Sequence, residues 1–316
     1  MKLQTQIPLQ AVTSHQIDYN SNVLLFGSCF SEHIGAKFSN LKFKSESNPF
    51  GILFHVKAIE NLIKRSLNET VYEATEVFQL NEQFQCFDTH SKLNGLTETD
   101  LLRTLNSALK QTKNSLGNAT HVIITLGTAW VYAQKDTKKI VANCHKVPQK
   151  EFEKQLLSID DISHSLKNII TLIKRDNPEV QFIFTVSPVR HIKDGFVENT
   201  LSKAYLISAI HQILKDDHQA HYFPSYEIVM DELRDYRFYN DDMLHPNTTA
   251  VNYIWKRFSE TWMSTKTLQL LKRVEQLHTG LNHKPFNPNS EAHKNFQQQL
   301  KEQQLELKKE ISHLIF

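Results

Sequence analysis

Cysteine is almost missing from this chain: Cys29, Cys86 and Cys144 are all it has, an odd number set far apart. That excludes a disulfide framework, and no Cys-x-x-Cys or close Cys/His spacing marks a zinc site. A reducing, cytoplasmic setting is the expectation. Net charge is also missing. The formal balance is +2 with no cluster of Lys and Arg, so composition gives no footprint for nucleic acid. No run approaches the roughly 18 apolar residues of a membrane span. The first ten residues lack the apolar stretch of a secretory signal. Glycine is scarce, at eight in 316 residues, which makes each position informative.

What is present is the composition of a globular protein, with 40% hydrophobic and 22% charged residues. The length suits one large α/β domain with an appendage, or two domains. Residues 1–20 are polar and read as an extended lead-in. Val23-Leu24-Leu25-Phe26 is a short apolar run closed by Gly27, the pattern of a buried strand, and Ser31 is placed to cap a helix over 36–41. Asn48-Pro49-Phe50-Gly51 signals a loop before a helix over 56–66; 77–90 alternates like two short strands; Thr97 or Thr99 caps a helix to 113. The strongest strand signal is 121–126, ending in Gly127, followed by an excursion with a hairpin over 131–147. Helices are expected over 159–175, 197–215 and 248–261, the last capped by Thr248, and further strands over 180–186 and within 222–230. No internal repeat interrupts this order.

Helices alternating with continuous apolar runs argue for a parallel sheet covered on both faces. Ligands then sit beyond the carboxyl ends of the strands. Three polar turns fall there: Gly27-Ser28-Cys29, Gly127-Thr128-Ala129-Trp130, and Ser187-Pro188-Val189-Arg190-His191. From about residue 265 the character changes to Lys, Gln and Glu, with apolar residues at helical spacing and a break at Asn287-Pro288-Asn289-Ser290. The expected organisation is an α/β domain over 1–264 and a helical extension over 265–316. That extension is read as packing across the main domain, with self-association into a homo-oligomer as the alternative.

Two short stretches carry chemistry. A strand, a glycine turn and a helix start put Ser28 and Cys29 where backbone N–H groups converge and the helix dipole favours negative charge, which suits a nucleophile. Near the other end, Asp242-Met243-Leu244-His245-Pro246 places a His in a loop before a helix, with a carboxylate three residues upstream to orient its ring as a general base. Arg190 and His191 are placed to hold an anionic substrate group, Arg190 by a bidentate contact. His90-Ser91 and Asn143-Cys144-His145-Lys146 lie in excursions that overhang the crevice or form plain surface loops.

These blocks resemble the SGNH (GDSL-like) hydrolases and, more narrowly, the GSCFA-domain family. Gly27-Ser28-Cys29-Phe30 is followed by Ser31 where that family's name has Ala, and Asn48-Pro49-Phe50-Gly51, Leu126-Gly127-Thr128-Ala129-Trp130, Asn143-Cys144-His145-Lys146, Ser187-Pro188-Val189-Arg190-His191 and Asp242-Met243-Leu244-His245-Pro246 recur in order. The resemblance covers about 20–260. It implies a flavodoxin-like three-layer α/β/α fold and acyl-ester chemistry, hydrolysis or acyl transfer on a small acylated substrate, without metal or organic cofactor. It makes His245 the base and Asp242 its orienting carboxylate, gives Gly51 an N–H in the oxyanion hole, and matches Gly127 to the glycine of the third block. Laid without gaps, the nucleophile position falls on Cys29; Ser28 takes it if the turn is shifted by one residue. The third-block Asn falls on Ala129, which has no side-chain donor, a loss typically worth ~3 kcal/mol of transition-state stabilisation. Trp130, Asn143, His145, Arg190 and His191 are the replacements to consider, and a crevice that binds without turnover is the alternative reading.

Overall fold

The computed structural model describes residues 4–315. In chain order its elements are β1 (Asn22–Gly27), α1 (Cys29–Asn40), β2 (Lys44–Ser47), α2 (Val56–Leu67), β3 (Phe78–Leu80), β4 (Gln83–Gln85), α3 (Glu98–Asn118), β5 (His121–Leu126), β6 (Trp130–Gln134), β7 (Ile140–Val141), β8 (Phe152–Leu156), α4 (Ile159–Asp176), β9 (Gln181–Val186), α5 (Phe196–Ile213), β10 (Ala220–Tyr222), α6 (Ser225–Glu227), α7 (Thr248–Trp262), α8 (Thr265–Leu281) and α9 (Glu291–Glu310). Five strands form one parallel sheet in the order β10-β9-β5-β1-β2, which is the flavodoxin-like strand order. Its order reverses beside β1, so the crevice expected at such a switch point opens between the carboxyl ends of β1 and β5. β3 and β4 make a hairpin, and β7-β6-β8 make a small antiparallel sheet beside that crevice.

The central strands are apolar throughout because both faces are covered. Leu24 and Phe26, Val122, Ile124 and Leu126, and Phe182 and Phe184 face one layer, packed with Ile59, Leu105, Ile169 and Leu206 from α2 to α5. The alternate residues Val23, Leu25, Ile123 and Ile183 face the other, against Phe30 and Phe38 of α1 and Ile254 and Phe258 of α7. This period of two is what makes the runs continuous in sequence yet split between two cores. α8 and α9 complete the second core: Val274, Leu277, Leu300 and Leu307 are buried in the same cluster. The extension therefore packs across the main domain. Among the described residues no helix is long and apolar enough to cross a membrane.

Several boundaries differ from the sequence reading, each for a local reason. α1 begins at Cys29 rather than after Ser31, because the Ser31 hydroxyl donates to Phe26 O at 3.0 Å and pairs with Thr125 Oγ1 at 3.0 Å. α7 is capped by Asn247, whose side chain accepts from Ala250 N, rather than by Thr248. The expected strand within 222–230 ends at Tyr222; after Pro224 the chain turns helical through Glu232. α3 runs five residues past its expected end, to Asn118.

Candidate active site

Gly27 ends β1 with φ +137, and a Cβ there would stand 2.1 Å from Thr125 O of the adjacent strand. Only glycine permits this turn, and the turn delivers Cys29 to the first position of α1. The Asn48 side chain locks the same corner by accepting from Gly27 N at 2.8 Å, while Leu53 N donates to Gly27 O. Asn48-Pro49-Phe50-Gly51 thus serves to brace the Gly27 turn. Gly51 has φ +74 and a close neighbour in His90, and its N–H closes a turn on Asn48 O at 2.8 Å. That donor is committed within its own turn.

Cys29 faces a cleft of about 700 Å³ whose walls include Phe54, His90, Trp130, Asn143, Arg190, His191 and His245. Ser28, by contrast, is wholly buried with no partner for its hydroxyl and lies outside the cleft wall. Burial pushes the Cys29 thiol above its usual value, while the N–H groups of Phe30 and of Cys29 itself, and the charge of Lys203, pull the other way. The two nearest donors are those of the helix N-terminus, as the strand–turn–helix geometry requires.

His245 arrives from the loop before α7. Its Nδ1 lies 2.6 Å from Asp242 Oδ2, and Asp242 Oδ1 accepts from the N–H of both Leu244 and His245 at 2.9 Å. Those backbone bonds, with the imidazole, hold the Asp242 carboxyl down at about 2. A carboxylate fixed this way makes Nδ1 the protonated nitrogen and leaves Nε2 as the basic one. Among the described residues no hydrogen bond joins the Cys29 sulfur to His245; the two meet as walls of one cleft.

The remaining expected residues divide. Asn143 lines the cleft; its carbonyl oxygen accepts from His145 N, which leaves its amide NH2 as a donor. His145 turns away, buried, with Nε2 on Cys86 O at 2.7 Å, so it is no part of the wall. Ala129 is buried, and its N–H donates to Ser202 Oγ rather than to the cleft. Gly127 and Thr128 both donate to Phe54 O, which ties the second block to the third. Arg190 lines the cleft without an ion pair among the described residues; its guanidinium meets Met230 Sδ at 2.9 Å. Burial drops His191 to about 4, so it stands neutral, stacked edge-on against Phe54. Asp194, at the rim, is neutralised by Lys154 at 2.6 Å. A hollow of about 750 Å³ beside α2 is larger, but there Arg65 is paired with both Glu76 and Asp88, no histidine lines it, and burial pushes the thiol of Cys86 up to about 12. Among the described residues no group of three or more His, Cys, Asp and Glu could hold a metal ion.

Sequence reasoning missed Lys203 on α5. It is 1% exposed, and its Nζ donates to Gly127 O at 2.7 Å and Ser187 O at 2.8 Å, bridging the carboxyl ends of β5 and β9. Burial pushes its ammonium down to about 7.

Among solved structures the chain is similar to a carbohydrate esterase family 3 protein from Talaromyces cellulolyticus (11% identity, TM-score 0.38, 80% of this chain and 98% of that one). It is also similar to the acetyl xylan esterase Est2A from Butyrivibrio proteoclasticus (10%, 0.38, 83% and 64%) and to a family two carbohydrate esterase from Clostridium thermocellum (11%, 0.35, 77% and 63%). The chain thus spans less than two thirds of the length of the latter two. At such TM-scores the strand order, and not the likeness, defines the fold. No curated protein matches. Sequence families are decisive where these are not: residues 274–316 match the GSCFA domain protein C-terminal domain, residues 22–258 match the GSCFA family, and it is to the GSCFA family that this chain belongs.

Proposed function

We propose that this protein is an acyl-ester hydrolase or acyltransferase that works through Cys29, His245 and Asp242. The observation that carries the reading is that an imidazole oriented by a carboxylate at 2.6 Å shares a cleft with a thiol at a helix N-terminus. The thiol–imidazole hydrogen bond forms when substrate fills the cleft, as catalytic hydrogen bonds commonly do. His245 Nε2 takes the thiol proton as the sulfur attacks the ester carbonyl, and a C–S bond forms. The oxyanion of the tetrahedral intermediate lies against the Cys29 N–H, with the Asn143 amide as the second donor in place of the side chain that Ala129 lacks. Collapse breaks the C–O bond, and His245 returns the proton to the departing alcohol. The thioester is then cleared by water (hydrolysis) or by an acceptor hydroxyl (transfer), deprotonated by the same imidazole. Arg190 and Lys193 give the far wall of the cleft a positive charge suited to an acyl ester with an anionic substituent.

A ligand-binding module without turnover is the competing reading, favoured by Ala129 and by the committed Gly51 N–H. Hydrolysis of p-nitrophenyl acetate separates the two. The enzyme reading expects kcat/KM to vanish into background in Cys29→Ala, to fall by about 10²–10⁴-fold in His245→Ala, and to survive Ser28→Ala. A wild-type rate indistinguishable from that of Cys29→Ala, with ligands of the cleft still bound, supports the binding module.

A further inference from the structure

A lysine without access to water is expensive to keep charged, and it is normally found with a carboxylate. Lys203 has none: among the described residues its Nζ meets only the carbonyl oxygens of Gly127 and Ser187. Two partial charges accept two of its three donors, and the full positive charge is uncompensated. These carbonyls end the two strands whose following turns build the cleft, and the elements around Nζ bring few charged or titratable groups to it. They are Cys29 at the head of α1 and Arg190 and His191 after β9. Two of these are cationic or neutral. Among the described residues the one of these that can become an anion is Cys29, as a thiolate whose charge and that of Lys203 favour each other, while Glu32 of α1 acts on it with the opposite sign.

The arrangement is specified by more than one residue. Ser202, the neighbour of Lys203 on α5, accepts from Ala129 N at 2.7 Å, and Asn199, one turn earlier, accepts from His191 N at 2.9 Å. This face of α5, Asn199-Ser202-Lys203, is buried and polar, and it pins the two turns that follow β5 and β9. A clamp alone would be met by a neutral amide. An ammonium adds a field.

We propose that Lys203 is a positioning residue of the thiol site: its ammonium, fixed between the carbonyl oxygens that end β5 and β9, is the buried positive charge held for the thiolate of Cys29. The inference rests on Cys29 being the nucleophile, but neither test below requires turnover. A protein that binds without reacting further would still display it.

The first test is the rate of Cys29 alkylation by iodoacetamide at pH 6.5, read by peptide mass mapping in the full chain. Cys144, on the wall of the same cleft and raised to about 11 by burial alone, is the internal reference. Lys203→Gln keeps donors for the two carbonyls and removes the charge. It is expected to slow Cys29 at least tenfold and to leave Cys144 within twofold. Equal slowing of both, or no slowing of Cys29, overturns the proposal. The second test leaves Lys203 in place, in case the Gln variant does not fold. In 13Cε-lysine NMR, Cys29→Asp, with a fixed anion at the thiolate position, is expected to raise the titration midpoint of Lys203 by one pH unit or more over Cys29→Asn. Identical midpoints in these two variants overturn it.

Discussion

Asp242 accepts three hydrogen bonds, two from backbone N–H groups and one from His245, and it keeps its charge down to about pH 2. For a carboxylate lowered in the folded state, the interaction is fully present above the unfolded value of about 4 and fades as pH falls through the folded one. The orientation of His245 is therefore constant across any working pH, and under the proposed reaction the acid limb of the pH–rate profile belongs to other groups. Asp242→Asn is expected to lower the rate by about 10²–10⁴-fold without removing that limb; a pH–rate profile of the variant in which the limb disappears would contradict this. Gly27 makes a different kind of claim. A Cβ there meets backbone of the neighbouring strand, which cannot yield as a flexible side chain would. Gly27→Ala is expected to destabilise the protein by roughly 4 kcal/mol or more, read as a shift of the urea midpoint. The same residue was legible as a sharp turn from its place after Phe26, whereas the demand for Asn48 beside it was not, because that bond spans 21 residues of sequence.

Among the elements, α2 is capped by an imidazole. His55 Nδ1 accepts from Ala58 N at 3.2 Å while Nε2 faces Val141 O at 3.0 Å, so the ring is neutral, with its proton on Nε2. Burial pushes His55 down to about 4, and His191 shifts in the same direction to about 4. The unfolded chain therefore binds these protons first. Stability is full above about pH 6.5 and is lost as pH falls toward 4. His55→Asn keeps an N-cap acceptor that cannot titrate, and it is expected to flatten the slope of unfolding free energy by up to about 1.4 kcal/mol per pH unit in that window. Urea melts from pH 7 to 4.5 measure it, and parallel slopes for the two proteins would count against the assignment. Element type was readable wherever one face or one run carried the pattern, as in β5 and α3. Boundaries shifted where a side chain's tertiary bond decided, as Ser31 shows at the start of α1. Lys203 was invisible for a related reason: a lone Lys in a helix reads as a solvent-facing residue, and only the crossing of α5 behind β5 and β9 buries it.

Taken whole, the molecule is built around one five-stranded parallel sheet with a core on each side, and the second core is finished by α8 and α9. Gly280 lies where a Cβ would stand 2.6 Å from Leu300, which lets these two helices approach closely. Leu277→Ala and Leu300→Ala, both in that core, are each expected to cost about 2–5 kcal/mol, seen as a lower urea midpoint of a single transition. Two separated transitions would mean that the extension folds apart from the sheet. The change in composition near residue 265 marked the extension, but composition alone left its partner open; in the structure its apolar stripe joins the same buried cluster as Phe38 of α1 and Trp255 of α7. The site owes its existence to the same scale. Cys29 and His245 stand at opposite ends of the α/β part of the chain, and the parallel sheet with its closing helix folds them onto one cleft.

The most direct measurement of the central claim is peptide-mapped mass spectrometry after brief exposure to p-nitrophenyl acetate, on wild type and His245→Ala. The account predicts an acetyl group on Cys29 that forms rapidly in wild type and at least about 100-fold more slowly without the imidazole. An acetyl group on Ser28, or labelling of Cys29 at the same rate in both proteins, would contradict it.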